Sequence, residues 1–480
     1  MHVVMVASEM APFAKTGGLA DVVGALPKAL GRLGHRVSVV LPLYRGIDPR
    51  GGERLGELPL AGDPLGRSAG IVARDLGDGV RVLLVEQPYL FDRAGLYGEA
   101  NRDYPDNHWR FALLAAAALE YQRSRGERPD VFHCHDWQAG LVPVLLKTRY
   151  AEDPVLARCA TLFTIHNLAY QGRFPLETIA ALGLPWHLAT TEALEFHGDM
   201  SFMKGGLLFS EVLSTVSPQY ATEIQGAEMG AGFDGVLRAR SADLFGILNG
   251  VDYEAWDPSH DPHIARRYSR EDLSGKRECK RALLREYGLA EEPELPLLGV
   301  TSRLVAAKGL DIVTASWWDL FQRPLRMVVL GSGEPAIEDG FRALAARAPD
   351  RFGVRLGYDE PLAHRIEAGA DAFLVPSRYE PCGLTQLYSL RYGTPPIVRT
   401  TGGLADTVEP FDPATGRGTG FRFDMPDGTG LIWAIDQMLA AYGDPAAWQR
   451  LMRNGMARDF SWDRSAEGYV ALYELARSKA

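Results

Sequence analysis

The chain has 480 residues, of which 46% are hydrophobic and 23% charged, a composition typical of a soluble globular protein with two or three domains. Its net charge of −10 argues against a nucleic-acid-binding surface, although a few well-placed Arg and Lys side chains can still bind an anionic small molecule. No long apolar run and no C-x-x-C spacing occur, so we expect no membrane span, free thiols and a cytoplasmic protein.

Short apolar segments recur along the chain, several of them followed by turn residues and amphipathic stretches. They lie at 3–7, 37–42, 80–86, 130–136, 161–167 and 212–217 in the first half and at 297–302, 327–333, 354–358, 372–377 and 396–400 in the second. Continuous apolar strands are typical of parallel sheets that are covered on both faces, and the helix-like segments between them complete βαβ units. The sequence therefore predicts an α/β fold with two doubly wound, Rossmann-like domains.

Turn residues at 246–258 interrupt this pattern and indicate a domain boundary. We expect domains at 1–245 and 246–458, followed by a C-terminal helical segment at 459–480. Four residues of that segment share one helical face: Tyr469, Leu472, Tyr473 and Ala476.

A Gly-Gly loop occurs twice, as KTGGLADVV at 15–23 and as TTGGLADTV at 400–408. The first copy follows a predicted strand and precedes a helix that contains Pro27, which should kink it or remove one backbone bond. Such a loop brings backbone N–H groups close to an anion, and Lys15 adds a positive charge. The alternative is a purely structural turn, and this loop is not the G-x-G-x-x-G fingerprint of dinucleotide-binding proteins.

Polar residues follow several predicted strands, at the sheet edge where open parallel sheets bind ligands. In the second half, Arg303 and Lys308 could stabilise a departing diphosphate, or they could be solvated charges at a helix start. Glu380 could stabilise an oxocarbenium-like transition state, or it could be a helix N-terminal charge.

The segment HCHD resembles a metal cluster, but strand alternation places His133 and His135 on one face and Asp136 on the other. A zinc site is therefore not favoured. His166 and Asn167 end another predicted strand, where they could bind sugar hydroxyls or serve a structural role. Because no Asp-x-Asp triplet occurs, we expect protein cations and helix termini to meet any phosphate charge.

Together these motifs resemble the bacterial glycogen synthase and plant starch synthase family, in the order of that family and over nearly the whole chain. The motifs are KTGGLADVVGALPKAL, HCHDWQAG, TIHNLAYQG, NGVDYEAWDP, SRLVAAKGLD, LGSGEP, RLGYDE and PSRYEPCGLTQLYSLRYGTPPIVRTTGGLADTV. The resemblance implies a glycosyltransferase B fold with a deep interdomain cleft. It implies that 1–245 is the acceptor side, that 246–458 binds the nucleotide sugar, and that the helix at 459–480 crosses back to the first domain.

The resemblance also implies a reaction without metal or cofactor, in which glucose moves from ADP-glucose to the non-reducing end of glycogen or a malto-oligosaccharide with retention of configuration. The catalytic positions it implies are Glu380, His166, Arg303 and Lys308. His166 would contact the donor glucose, and the two cations would hold the diphosphate. The substrate-binding positions are Lys15, Gly18, Asp21, Asp136, Asn167, Asn249, Gly357, Tyr358, Ser377, Cys382, Gly383, Leu384 and Thr385.

Two other interpretations remain open. A non-catalytic glucan-binding relative would be expected to have lost one or more of Lys15, Arg303, Lys308 and Glu380, and all four are present. Another nucleotide-sugar enzyme or a phosphorylase on the same fold is the second interpretation. The preference for ADP-glucose or UDP-glucose is not evident in the sequence.

Overall fold

The computed structural model describes residues 1–61, 63–100, 102–292 and 294–480. These divide into two compact units, Met1–Gly250 together with Trp462–Ala480, and Val251–Ser461. Each unit contains a doubly wound, mainly parallel sheet, so the predicted pair of Rossmann-like domains is confirmed.

The first unit contains both strands and helices. The strands are β1 (His2–Val6), β2 (Arg36–Pro42), β3 (Glu53–Pro59), β4 (Ser68–Gly77), β5 (Val80–Glu86), β6 (Gly98–Glu99), β7 (Arg102–Asp103), β8 (Val131–His135), β9 (Ala160–Ile165), β10 (Arg173–Pro175), β11 (Glu195–Phe196), β12 (Asp199–Ser201), β13 (Val212–Thr215) and β14 (Leu244–Gly246). The helices are α1 (Gly18–Arg32), α2 (Pro88–Phe91), α3 (Asn107–Arg125), α4 (Leu141–Lys147), α5 (Thr178–Ala181), α6 (Phe202–Phe209), α7 (Pro218–Glu223) and α8 (Asp234–Ala239).

The main sheet of this unit has the order β14-β13-β9-β8-β1-β2-β5-β4-β3. It is parallel from β14 to β5, and β4 and β3 add an antiparallel edge. Strands β1, β8 and β9 are buried throughout because both faces of the sheet are covered, which explains their continuous apolar sequences. Helix α1 buries its apolar stripe and continues through the buried Pro27 to Arg32.

The second unit follows the order expected of a dinucleotide-type fold. Its helices are α9 (Ser274–Glu286), α10 (Leu310–Ala315), α11 (Trp317–Phe321), α12 (Pro335–Arg347), α13 (Glu360–Gly369), α14 (Thr385–Arg391), α15 (Gly402–Thr407), α16 (Gly428–Tyr442) and α17 (Pro445–Met456). Its strands are β15 (Leu297–Thr301), β16 (Arg326–Gly331), β17 (Phe352–Leu356), β18 (Ala372–Val375), β19 (Pro396–Arg399) and β20 (Phe421–Phe423). The strands of its sheet have the order β17-β16-β15-β18-β19-β20 and are all parallel. Successive strands are added on one side of β15 up to β17 and on the other side from β18 onward, so the switch point lies between β15 and β18.

The last helix, α18 (Trp462–Lys479), belongs to the first unit, where it packs against α1, β8, β9 and β13. The four residues predicted to share one face of this helix are all buried. Within the part of the chain that the structure describes, no helix combines the length and apolarity that crossing a bilayer requires.

Candidate functional site

Several of the predicted site residues follow the strands that flank the switch point of each sheet. In the first unit, the Lys15 loop follows β1 and Asp136 follows β8, and these two strands are neighbours on either side of the switch point. In the second unit, Arg303 follows β15 and Glu380 follows β18. Ligands of open α/β sheets bind at this crevice because the connections on either side of it diverge to opposite faces. Each unit therefore places its candidate residues where the topology creates a binding site.

Glu9 holds the first Gly-Gly loop in place. Its carboxylate, only 4% exposed, accepts hydrogen bonds from the N–H and hydroxyl of Thr16 at 2.6 and 2.5 Å. It also accepts from Gly17 N–H at 3.2 Å and from the Tyr97 hydroxyl at 2.5 Å. Lys15 Nζ lies on the surface, 2.6 Å from a carboxylate oxygen of Asp21 in the first turn of α1. The buried Glu9 carboxylate therefore holds the loop in place while the Lys15 side chain remains exposed.

The two Gly-Gly pairs have different surroundings despite their shared sequence. A Cβ atom added to Gly402 would lie 2.0 Å from the Glu380 carbonyl oxygen, and one on Gly403 would lie 2.1 Å from that of Cys382. At Gly17 and Gly18 an added Cβ would meet no described atom within 4 Å. The second pair thus allows close packing against the Glu380 segment, whereas the first leaves open space beside an exposed cation.

Asp136 links two strand ends of the first unit. Its backbone adopts φ +54°, a conformation that non-glycine residues rarely adopt, and its carboxylate accepts from the N–H groups of His166 at 2.7 Å and Asn167 at 3.3 Å. Burial raises the pKa of Asp136 to about 7. The structure therefore joins three of the predicted residues in one hydrogen-bonded turn.

His166 is buried beside a second histidine. Its Nε2 lies 3.0 Å from Nδ1 of His135, and burial lowers the pKa of His166 to about 3, so the ring is neutral at neutral pH. Asn249, also predicted, is 5% exposed, and its buried Oδ1 has no hydrogen-bond donor among the described residues.

An ion pair occupies the switch point of the second unit. Lys308 Nζ lies 2.5 Å from Glu380 Oε2, and the Ser377 hydroxyl donates to the same oxygen at 2.9 Å. Glu380 is 8% exposed. Gly309, with φ +67°, ends the turn that carries Lys308, and a Cβ there would lie 2.0 Å from the Pro376 carbonyl oxygen. The backbone thus brings Lys308, Ser377 and Glu380 together, as their positions after β15 and β18 predict.

Arg303 is exposed, and no side chain in the described ranges forms an ion pair with it. It lies one residue beyond Ser302, whose N–H extends the β15–β16 ladder to the Leu330 carbonyl. An exposed guanidinium just beyond a strand end that forms no ion pair within the described ranges is available to a phosphate.

The remaining predicted residues of this unit lie in turns beside the same sheet edge. Gly357 has φ +134° and Tyr358 is 82% exposed, with its hydroxyl 2.7 Å from Glu360. Cys382 is buried, and Gly383 has φ +73° just before α14. Leu384 and Thr385, both half-buried, complete the start of that helix.

No supporting role for Glu9 or His135 was predicted from the sequence. Glu9 accepts hydrogen bonds from Thr16 and Gly17, which lie between the predicted Lys15 and Gly18, and His135 contacts His166. A single glutamate in SEM has no motif, and His135 was considered only as part of a metal cluster. Four free cysteines are all buried, and the described residues contain no group of three or more His, Cys, Asp or Glu that could hold a metal ion.

Comparison with known proteins agrees with this architecture. The starch synthase catalytic domain family matches residues 2–239, and glycosyl transferases group 1 matches residues 287–454. Sucrose-phosphate synthase from Thermosynechococcus elongatus has the same fold, with a TM-score of 0.63 at 18% identity and full coverage of both chains. The two Rossmann-like domains therefore define a glycosyltransferase of the GT-B fold.

More similar proteins identify the family. The catalytic domain of Starch Synthase IV from Arabidopsis thaliana, bound to ADP and acarbose, matches with a TM-score of 0.89 at 36% identity over 99% of both chains. Glycogen synthases from Anaeromyxobacter sp. (strain Fw109-5) and Koribacter versatilis (strain Ellin345) are 53% and 51% identical, covering 98% and 99% of this chain and 99% and 98% of theirs. The chain belongs to the glycogen and starch synthase family.

Proposed function

We propose that this protein is a glycogen synthase that transfers glucose from ADP-glucose to the non-reducing end of an α-1,4-glucan, with retention of anomeric configuration. The observation that carries the proposal is the full-length similarity to glycogen synthases, at about half identity, together with an ADP-bound starch synthase neighbour. The polar residues at both switch points support the same chemistry.

In the second unit, Arg303 and Lys308 bind the diphosphate and offset the negative charge that grows as ADP departs. Arg303 supports this role because it is exposed and has no ion-pair partner among the described residues. A preorganised cation near the leaving group lowers the barrier without reorganising during the reaction. Gly357 and Tyr358 contact the adenine, and Cys382, Gly383, Leu384 and Thr385 contact the sugar and phosphates.

Glu380 positions the donor and stabilises charge. Its Oε2 accepts from both Lys308 and Ser377, so the carboxylate is already engaged with a cation. Such a carboxylate is a weaker nucleophile than a free one. Retention then follows when the acceptor hydroxyl attacks the face from which ADP leaves, so that the departing phosphate oxygen accepts the hydroxyl proton.

In the first unit, which we assign to the acceptor side, the Lys15–Gly18 loop approaches the donor. The open space beside Gly17 and Gly18 supports this assignment. Asp21 holds Lys15, and Asp136 fixes the turn from which His166 and Asn167 contact sugar hydroxyls. Asn249 offers its side-chain carbonyl oxygen, to which no described residue donates, at the end of the same unit. The four free cysteines support a reducing, cytoplasmic environment.

The test is incubation with ADP-glucose or UDP-glucose, with and without glycogen, while release of the nucleoside diphosphate is followed. We expect ADP release that requires glycogen, and a product that an exo-acting α-1,4-glucanase digests. Release without glycogen would indicate a hydrolase, and no release from either donor would indicate a glucan-binding relative. Faster release from UDP-glucose would contradict ADP-glucose as the preferred donor, and it would leave the rest of the proposal unchanged.

A further inference from the structure

We infer that His135 is a positioning residue that fixes the ring proton of His166 on Nδ1, so that His166 acts as a hydrogen-bond donor toward its ligand. The inference rests on the proposed function for the identity of that ligand, a sugar of the donor substrate. The tautomer itself follows from hydrogen bonds within the first unit.

The rings involved are neutral. His133 and His135 are fully buried, and burial lowers their pKa values well below the usual range, while that of His166 falls to about 3. Each ring therefore carries one proton at neutral pH, on either Nδ1 or Nε2. Which nitrogen carries it depends on the partners of each ring.

His133 has a partner for each nitrogen. Its Nδ1 lies 2.9 Å from the Tyr473 hydroxyl and its Nε2 lies 2.6 Å from Oγ1 of Thr164. Its ring lies against that of His135, with centroids 4.0 Å apart. It is therefore unable to satisfy the remaining nitrogen of His135.

His135 has one partner. Its Nδ1 meets Nε2 of His166 at 3.0 Å, and its Nε2 is buried without a hydrogen-bond partner in the described part of the chain. If His166 Nε2–H were the donor, the proton of His135 would lie on Nε2 as a buried N–H with no acceptor. If His135 Nδ1–H is the donor, the atom left without a partner, His135 Nε2, is an unprotonated acceptor nitrogen. Orphaned buried N–H groups are rarer in native proteins than under-satisfied acceptors, so the second arrangement is favoured.

The consequence concerns the other nitrogen of His166. Because Nε2 accepts from His135, the ring proton lies on Nδ1, for which the described residues provide no partner. His166 thus offers an N–H to an oxygen of the bound sugar, and it would not accept a proton from a substrate hydroxyl.

The direct test uses the full-length, ligand-free protein labelled with ¹⁵N-histidine. Long-range ¹H–¹⁵N correlation spectra distinguish the two neutral tautomers, and the His166 signals are assigned by their loss in His166→Asn. We expect the Nδ1–H pattern. An Nε2–H pattern would overturn the inference, and this result does not depend on whether the protein transfers glucose.

Kinetics on three variants provide a second test. His135→Asn keeps an amide N–H near the position of Nδ1, whereas His135→Leu removes the donor. We expect His135→Leu to lower kcat at least tenfold and to raise the donor KM, and His135→Asn to restore most of that loss. Tyr473→Phe is the matched control, since it removes a buried hydrogen bond on His133 without changing the His135–His166 contact, and it should change neither parameter more than twofold. Equal losses in both His135 variants would contradict a role for the donated proton.

Discussion

The Lys308–Glu380 ion pair couples two charges, so neither residue can be altered without changing the other. We expect Glu380→Gln to reduce kcat by orders of magnitude, because it removes the charge that we propose lies beside the reacting sugar, while the Kd for ADP changes only a few-fold. Steady-state kinetics and calorimetric titration with ADP measure the two quantities. Near-normal turnover would remove Glu380 from the chemistry.

A double-mutant cycle tests the coupling itself. Lys308→Ala leaves the Glu380 carboxylate, 8% exposed, without its cation, so the double variant should lose much less activity than the product of the single losses. Glu409→Gln is a suitable control, since it breaks an exposed ion pair of the same unit with Arg458 and should leave kcat unchanged. Additive losses would mean that the two residues act independently.

The buried Asp136 makes stability depend on pH. Its pKa is about 7 in the folded protein and 3.8 in a model compound, so between these values the folded state binds more protons than the unfolded state. Stability contributed by this residue therefore falls as pH rises from about 4 to about 7, by about 4 kcal/mol in total.

Asp136→Asn should remove that pH-dependent cost, because the side-chain amide oxygen can still accept from His166 N–H. We expect the variant to have a higher Tm than the unmodified chain at pH 8, with a difference that shrinks steadily toward pH 5. Thermal unfolding of both proteins across this range measures the difference. A difference that does not vary with pH would contradict an ionisation-linked cost.

Among the secondary-structure elements, the Gly-Gly starts of α1 and α15 predict opposite outcomes for the same substitution. Gly402 has φ +43° and no room for a Cβ atom, so Gly402→Ala should lower Tm by several degrees and reduce activity with it. Gly18 has space around it, so Gly18→Ala should leave Tm within about 1 °C but raise the donor KM, because the added methyl group occupies the side open to ligand.

Measurements of Tm and of donor kinetics on both variants test whether the two Gly-Gly pairs differ in this way. Both substitutions add one methyl group to a Gly-Gly pair at the start of a helix, so each serves as the control for the other. Unchanged donor kinetics in Gly18→Ala would exclude that loop from the donor site.

Prediction from the sequence succeeded where the signal was local. Continuous apolar runs located the buried strands, and the rule for parallel sheets placed Arg303, Lys308 and Glu380 at one edge. The antiparallel strand β3 has mostly exposed residues and no apolar run, so its sequence offered no signal. The different roles of the two Gly-Gly pairs were also unpredictable, because they depend on distant carbonyl groups, those of Glu380 and Cys382.

At the scale of the whole molecule, the first unit depends on the last helix. Tyr469 and Tyr473 of α18 are fully buried in it, and removing one large core side chain typically costs about 3–5 kcal/mol, against a total of about 5–15 kcal/mol for a domain. A chain that ends at Ser461 should therefore lose the native packing of the first unit, whereas Val251–Ser461 should remain folded.

Hydrogen exchange resolved by peptide measures this outcome. In the shortened chain, β1 and β8 should lose protection while β15 and β16 keep theirs. Removal of the exposed residues 478–480 alone is the control and should leave both sheets protected. Retained protection of β8 without α18 would contradict the dependence.

Because α18 follows the second unit in the sequence, it also determines when the first unit can be completed during synthesis. At about 5–20 residues per second, a ribosome needs roughly 10–50 s to pass from Gly250 to Lys479, the last residue of α18. Throughout that interval β8 and β9 of the nascent first unit lack their contacts with α18. The first unit is synthesised first but is completed last. Until α18 is made, the first unit is therefore most susceptible to chaperone binding and proteolysis.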